Sequence, residues 1–190
     1  MISDSRRQRT GLHGLRSAAR LIAALALLLP SAAAADTEQQ MKAGFIYNFA
    51  LYVEWPAASF ASAASPLSVC LADGRDTLSA FEHLKGKKIR DRAVTVGLLG
   101  DAGGACQIVY IQAAAGAEAE GLLRRVSGPG VLTIGDAAGF CGMGGIIGFY
   151  REGNKLRFEI NTDAAQRAGL KLSSQLLKLA RIVPERTAAR

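Results

Sequence analysis

The chain has 190 residues and a formal charge of +7. Five of its 23 basic and one of its 16 acidic residues fall within the first 35, which leaves 18 against 15, a net of +3, on the remainder. A balance that close to neutral is an ordinary surface, and it excludes the broad basic field by which nucleic acid is gathered.

Those first 35 residues have the layout of a secretory leader. Arg6, Arg7, Arg9, Arg16 and Arg20 form a basic n-region, Leu21 to Leu29 an apolar run that stops at Pro30, and Ser31 to Ala35 a small-residue stretch with several A-x-A registers. The apolar run is about half of the roughly 20 residues that a membrane-spanning helix needs, and no later run is longer. The sequence therefore predicts export by the general secretory route, cleavage near Ala35, and a periplasmic domain over residues 36–190 that does not insert into the membrane afterwards. Its length of about 155 residues suffices for a single core, and no repeat or long linker divides it.

The predicted elements begin with an amphipathic helix on which Met41, Phe45, Ile46, Phe49, Tyr52 and Val53 recur at spacings of three and four, stopped by Pro56. Leu67 to Ala72 has the pattern of a buried strand, and Asp76 to Leu84 that of a short helix with Asp76 as its N-cap. Lys87 to Leu99 is extended with a turn near Asp91. The basic run Lys85 to Arg92 lacks interleaved aromatics, so it fits a solvated turn and a strand edge that lysines guard. Cys106 to Ile111 is a second buried strand, Gly116 to Val126 a helix, and Val131 to Ile134 a third strand. Ile146 to Tyr150 and Lys155 to Ile160 flank a turn at 151–154 as a β-hairpin, with Leu156, Phe158 and Ile160 inward and Lys155, Arg157 and Glu159 outward. Asn161 or Thr162 caps a brief helix ended by Gly169. A last helix from about Ser173 buries Leu176, Leu177, Ala180 and Val183, with Lys178 and Arg181 together on another face. The sum is an α/β fold of a single domain: a mixed β-sheet flanked by helices, with a C-terminal β-hairpin and helix.

The motifs of catalysis are missing. Beyond the leader His83 is the one histidine, a solvated or capped side chain by its position, and there is no His-x-x-x-His, Cys-x-x-Cys or Gly-x-Ser-x-Gly. Gly139, Gly142, Gly144 and Gly145 precede a strand instead of joining a strand to a helix, which is a loop entering the hairpin and not a phosphate cradle. No metal, no cofactor and no enzymatic activity are expected.

The cysteines carry more. Cys70 and Cys106 fall in neighbouring predicted core strands, so in an oxidising compartment they are expected to form a disulfide. Cys141 is left as a free thiol: buried and inert, exposed and reactive, or paired between chains.

The block Met41-Lys42-Ala43-Gly44-Phe45-Ile46-Tyr47-Asn48-Phe49 through Val53-Glu54-Trp55-Pro56 resembles the opening block of the YfiR family. Cys106 to Ile111, Val131 to Asp136, Gly139-Phe140, and Leu156 to Asn161 running on to Ala180 are similar to later blocks of the same family, in the same order. The resemblance implies a periplasmic repressor, dimeric in its best-studied member, that binds the periplasmic sensor region of an inner-membrane diguanylate cyclase of YfiN type. It thereby controls cyclic di-GMP and biofilm formation. An outer-membrane lipoprotein of YfiB type would be a second partner, and disulfide redox state a control. The resemblance also pairs Cys70 with Cys106 and makes Cys141 the first member of a second pair, whose partner position falls near Gly148, where no cysteine stands. It places partner or ligand contacts at Glu159, Arg167 and Lys171, all outward by pattern. Trp55 is a further candidate, since tryptophan is enriched at interface hot spots. The alternative is a periplasmic small-molecule binding module that serves a sensor kinase or transporter.

Overall fold

The computed structural model describes residues 32–72, 74–101, 105–112 and 116–184, and the expected leader lies almost wholly outside them. Helix α1 (Ala32–Leu51) is followed by β1 (Val53–Glu54), β2 (Leu67–Leu71), α2 (Arg75–Phe81), β3 (Lys88–Ile89), β4 (Arg92–Leu98) and β5 (Ile108–Ile111). Then come α3 (Gly116–Val126), β6 (Leu132–Gly135), β7 (Ile147–Glu152), β8 (Lys155–Ile160), α4 (Thr162–Arg167), β9 (Lys171–Leu172), α5 (Ser174–Leu179) and β10 (Arg181–Ile182).

Eight strands form one mixed sheet in the order β10-β8-β7-β6-β5-β2-β4-β3. Strands β4, β2, β5, β6 and β7 run parallel, while β3 and β8 join their neighbours antiparallel. The chain passes from β2 to β4 on one side and then crosses to β5 on the other, so strand order reverses between β2 and β5. A separate antiparallel pair joins β1 to β9, with Val53 opposite Leu172 and Glu54 opposite Lys171.

Alternation along the central strands explains the layers. Leu67, Val69 and Leu71 of β2 and Ile108 and Tyr110 of β5 face a core that contains Ile46, Phe49 and Ala50 of α1, Phe81 of α2, Ala164 and Ala165 of α4 and Leu176 of α5. Cys70, Val109 and Ile111 point to the opposite face, where Ala119 and Leu123 of α3 cover them. A sheet buried on both faces favours apolar residues at every position of its inner strands, which is why β5 reads as a continuous apolar run; in β6 the buried Thr133 is the polar exception, and its hydroxyl accepts from the Ile146 N–H. Each fully buried Phe or Ile contributes roughly 2 kcal/mol of transfer free energy. Truncating Phe49, whose ring lies 4.7 Å from that of Phe158, removes several such contacts at once.

The glycine run before the hairpin is a packing device. Phe140 is fully buried, and its ring lies where a Cβ on Gly135 or Gly145 would stand at 2.4 or 2.2 Å. Only glycine leaves room for the ring to wedge between the end of β6 and the approach to β7.

Four local expectations are corrected. The N-cap of α2 is Gly74 and not Asp76. Met41 and Tyr52, assigned to the buried stripe of α1, are 48% and 38% exposed, and the helix ends at Leu51, before β1 and Pro56. The last helix stops at Leu179, because Arg181–Ile182 pairs parallel with β8 instead of continuing the helix. Arg181 is therefore turned toward β8, and Val183 donates its N–H to the carbonyl of Ile160.

Candidate partner-binding face

The C-terminal third supplies three of the four candidate side chains. Along β8, Lys155 and Arg157 are exposed, and Arg157 reaches Glu152 across the hairpin at 3.3 Å. Glu159, expected on the same outward face, is only 7% exposed. The correction has a tertiary cause: β10 lies beside β8 with Arg181 opposite Glu159. Arg181 Nε donates to Glu159 Oε2 at 3.2 Å, and its Nη2 donates to the same oxygen. The guanidinium is stacked over the Tyr150 ring at 3.9 Å, and its hydrogen bond to Glu159 holds it protonated more firmly than usual.

Behind Glu159 lies Cys141, fully buried, its Sγ 3.5 Å from the carbonyl oxygens of Ile146 and Glu159. Burial pushes this thiol up to about 12, and the Glu159 charge adds to the effect. Of the alternatives for Cys141 the structure selects the buried one; a thiol held neutral is a poor nucleophile. A Cβ added at Gly148 would stand 3.3 Å from Cys141 Sγ and 3.2 Å from Glu159 Cγ. Position 148 therefore adjoins Cys141, and the Glu159 side chain crowds the same spot.

The remaining candidates separate. Lys171 is exposed and lies opposite Glu54 in the β1–β9 pair, which brings it beside the Trp55-Pro56 segment. It borders a shallow apolar cleft of about 340 Å³ with Ala165, Leu170, Leu172 and Leu177. Arg167, at the end of α4, borders a different cleft of about 220 Å³ with Ser127, Pro129 and Thr133. Trp55 is half-buried against the core, and its Nε1 donates to the carbonyl of Gln107 at 3.3 Å. Lys171 and Trp55 thus share one neighbourhood, while Glu159 faces inward to β10 and Arg167 faces another side of α4.

Cys70 and Cys106 are joined by a disulfide with their Cα atoms 5.8 Å apart. The bond fastens β2 to the entry of β5, the two strands between which the order reverses.

A buried ionic cluster escaped the sequence reading. Lys42, 5% exposed, donates to Asp136 Oδ2 at 2.6 Å and pairs with Glu38 at 3.0 Å. Tyr110 donates to the same Asp136 oxygen at 3.0 Å, and Arg151 of β7 pairs with Glu38. The hydrogen bond from Lys42 holds the Glu38 carboxyl below the usual range, and burial with the Asp136 charge raises the Tyr110 hydroxyl. The one available signal was Lys42 at four and seven residues before Ile46 and Phe49. A lysine on a buried stripe demands an acid, but the acid lies in β6's far loop.

Among the described residues, no group of three or more His, Cys, Asp or Glu could hold a metal ion, and no helix is long and apolar enough to cross a membrane. His83 is exposed, with Nδ1 2.8 Å from the carbonyl of Ala80. A family model described as YfiR/HmsC-like matches residues 39–181, well over half of the chain. The chain belongs to this family, which is one of periplasmic regulators of YfiN-type systems and is regulatory instead of catalytic.

Proposed function

We propose that this chain, as a member of the YfiR/HmsC-like family, binds the periplasmic sensor region of an inner-membrane diguanylate cyclase of YfiN type and holds it inactive. Export with loss of residues 1–35 delivers it to that compartment. The protein acts as a homodimer, and an outer-membrane YfiB-type lipoprotein competes for it.

The observation that carries the reading is the neighbourhood of Lys171: an apolar cleft between α4 and α5 with an exposed cation at its border. Apolar centres with charged rims are what protein partners bury. Repression also requires that the face prefer the inactive cyclase, since equal affinity for both states shifts nothing. The disulfide and the two-sided core support a rigid face able to make that distinction.

The reading is tested by measuring cyclic di-GMP in a strain lacking the gene. Deletion is expected to raise it, the full-length gene to restore it, and Lys171→Glu to restore it poorly although the protein accumulates in the periplasm. An unchanged level after deletion, under conditions in which the cyclase is made, rules the reading out.

A further inference from the structure

On the side of the sheet that ends in β3, a groove of about 380 Å³ lies between the segment after α1 and the β3–β4 turn. Val53, Leu67 and Ile89, each nearly inaccessible, make its base. Trp55 and Phe60 stand over them, half-buried, with Arg90 and Arg92 beside. The volume is within the range of small-molecule sites, and the lining combines an apolar base, two aromatic rings and a few polar groups.

The polar groups are held in place before any ligand arrives. Trp55 is oriented by its hydrogen bond to Gln107. Arg92 lies 3.6 Å from the centroid of the Phe60 ring, and its Nη1 donates to the carbonyls of Ser62 at 3.0 Å and Ser65 at 2.5 Å. Those acceptors are neutral; the one carboxylate among the residues that line the groove is that of Asp91, which is exposed. Arg90, at a φ of 53° in the left-handed region, faces Glu54 at 3.5 Å, and both are more than half exposed. Holding a bulky residue there costs about 1 kcal/mol and fixes the turn at the groove's mouth.

Charge is concentrated at this edge. Residues 85–92 carry five cations and one acid, a net of +4, whereas residues 36–190 together carry +3. The rest of that domain is therefore slightly acidic, and a diffusing anion is drawn toward this side. Lys85 is paired with Glu82, and Lys87 lies over the Tyr47 ring at 5.2 Å.

We propose that this groove binds a small organic anion: an apolar or aromatic body between Trp55 and Phe60, and a carboxylate or phosphate on Arg92 with help from Arg90. A charge-assisted bond from a fixed guanidinium is stronger than one from a mobile side chain, because less freedom is lost on binding. Testing the site does not require the cyclase: the isolated protein suffices.

Trp55 is the only tryptophan, so its fluorescence reports on the groove. The oxidised protein is titrated with 3-phenylpropionate, with the neutral 3-phenylpropanamide, and with inorganic phosphate, by fluorescence and calorimetry. Saturable binding of 3-phenylpropionate is expected, with both comparison compounds at least about tenfold weaker, since one lacks the charge and the other the body. Arg92→Gln should weaken 3-phenylpropionate about tenfold and leave the amide unchanged. No saturable response to 3-phenylpropionate, equal binding of the amide, or full affinity in Arg92→Gln overturns the proposal. Should Arg92→Gln not fold, Ala63→Leu at the exposed border of the groove replaces it: weakened binding supports the site, and unchanged binding overturns it.

Discussion

Strands β2 and β5, at the point where strand order reverses, are fastened by a covalent bond between Cys70 and Cys106, whereas the β7–β8 hairpin further along the sheet is fastened by charge. Arg151 of β7 is tied through Glu38 to Lys42 and Asp136, and Glu159 of β8 is tied to Arg181 of β10. The two kinds of fastening act on different states. A disulfide works largely by restricting the unfolded chain, so it responds to reductant and hardly to pH or salt. Ion pairs act in the folded state, and what they contribute depends on burial. Position 148 makes the contrast sharp, because a side chain there would meet Cys141 Sγ and the Glu159 side chain together.

The comparison predicts a descending series of effects. Replacing Cys70 and Cys106 by serine, or reducing their bond, opens a loop of 36 residues, and the chain-entropy model expects a loss of about 4 kcal/mol. Urea unfolding with and without reductant reads this directly, and identical midpoints would show that the bond restricts nothing. Lys42→Met removes the cation beside Asp136, whose side chain is only 9% exposed and which keeps its hydrogen bond from Tyr110, and should cost about 3 kcal/mol. That loss should persist at high salt, unlike the loss from breaking the exposed Arg124–Glu120 pair.

Smaller effects test whether the hairpin can be converted to the covalent kind of fastening. Gly148→Cys, combined with Glu159→Ala to relieve the crowding, should oxidise with Cys141 and protect it from alkylation after denaturation. Closing so short a loop adds about 2 kcal/mol at most, less what is lost with the Glu159–Arg181 pair; continued labelling of Cys141 would disprove the juxtaposition. The smallest effect is that of acid on Glu38. Its carboxyl titrates lower in the folded protein than in the unfolded chain, so its contribution is complete above the unfolded value of about 4.3 and disappears as pH falls through the folded one. The stability difference between the protein and Glu38→Gln, followed by urea unfolding between neutral pH and pH 3, should shrink toward zero.

Much of the architecture was legible because it depends on near neighbours. The helix Gly116–Val126 matches its predicted bounds, the hairpin falls where alternation placed it, and Asn161 caps α4 by accepting from the Ala164 N–H. The Cys70–Cys106 bond was legible too, since adjacent buried strands leave two cysteines few other positions. The candidate face was legible in part: Lys171 is exposed as expected, but Glu159 is not.

What the sequence determined by itself is which face of each element is apolar and where each element begins to fail, because periodicity and capping are properties of a few consecutive residues. Tertiary structure alone decided what covers each face. Arg181 could have extended a helix or joined a strand, and the open edge of β8, with backbone groups in need of partners, drew it into the sheet and buried Glu159 beneath it. Lys42 met Asp136 for the same reason: 94 residues separate them in the chain, and only the folding of α1 onto the sheet brings them within reach of a hydrogen bond.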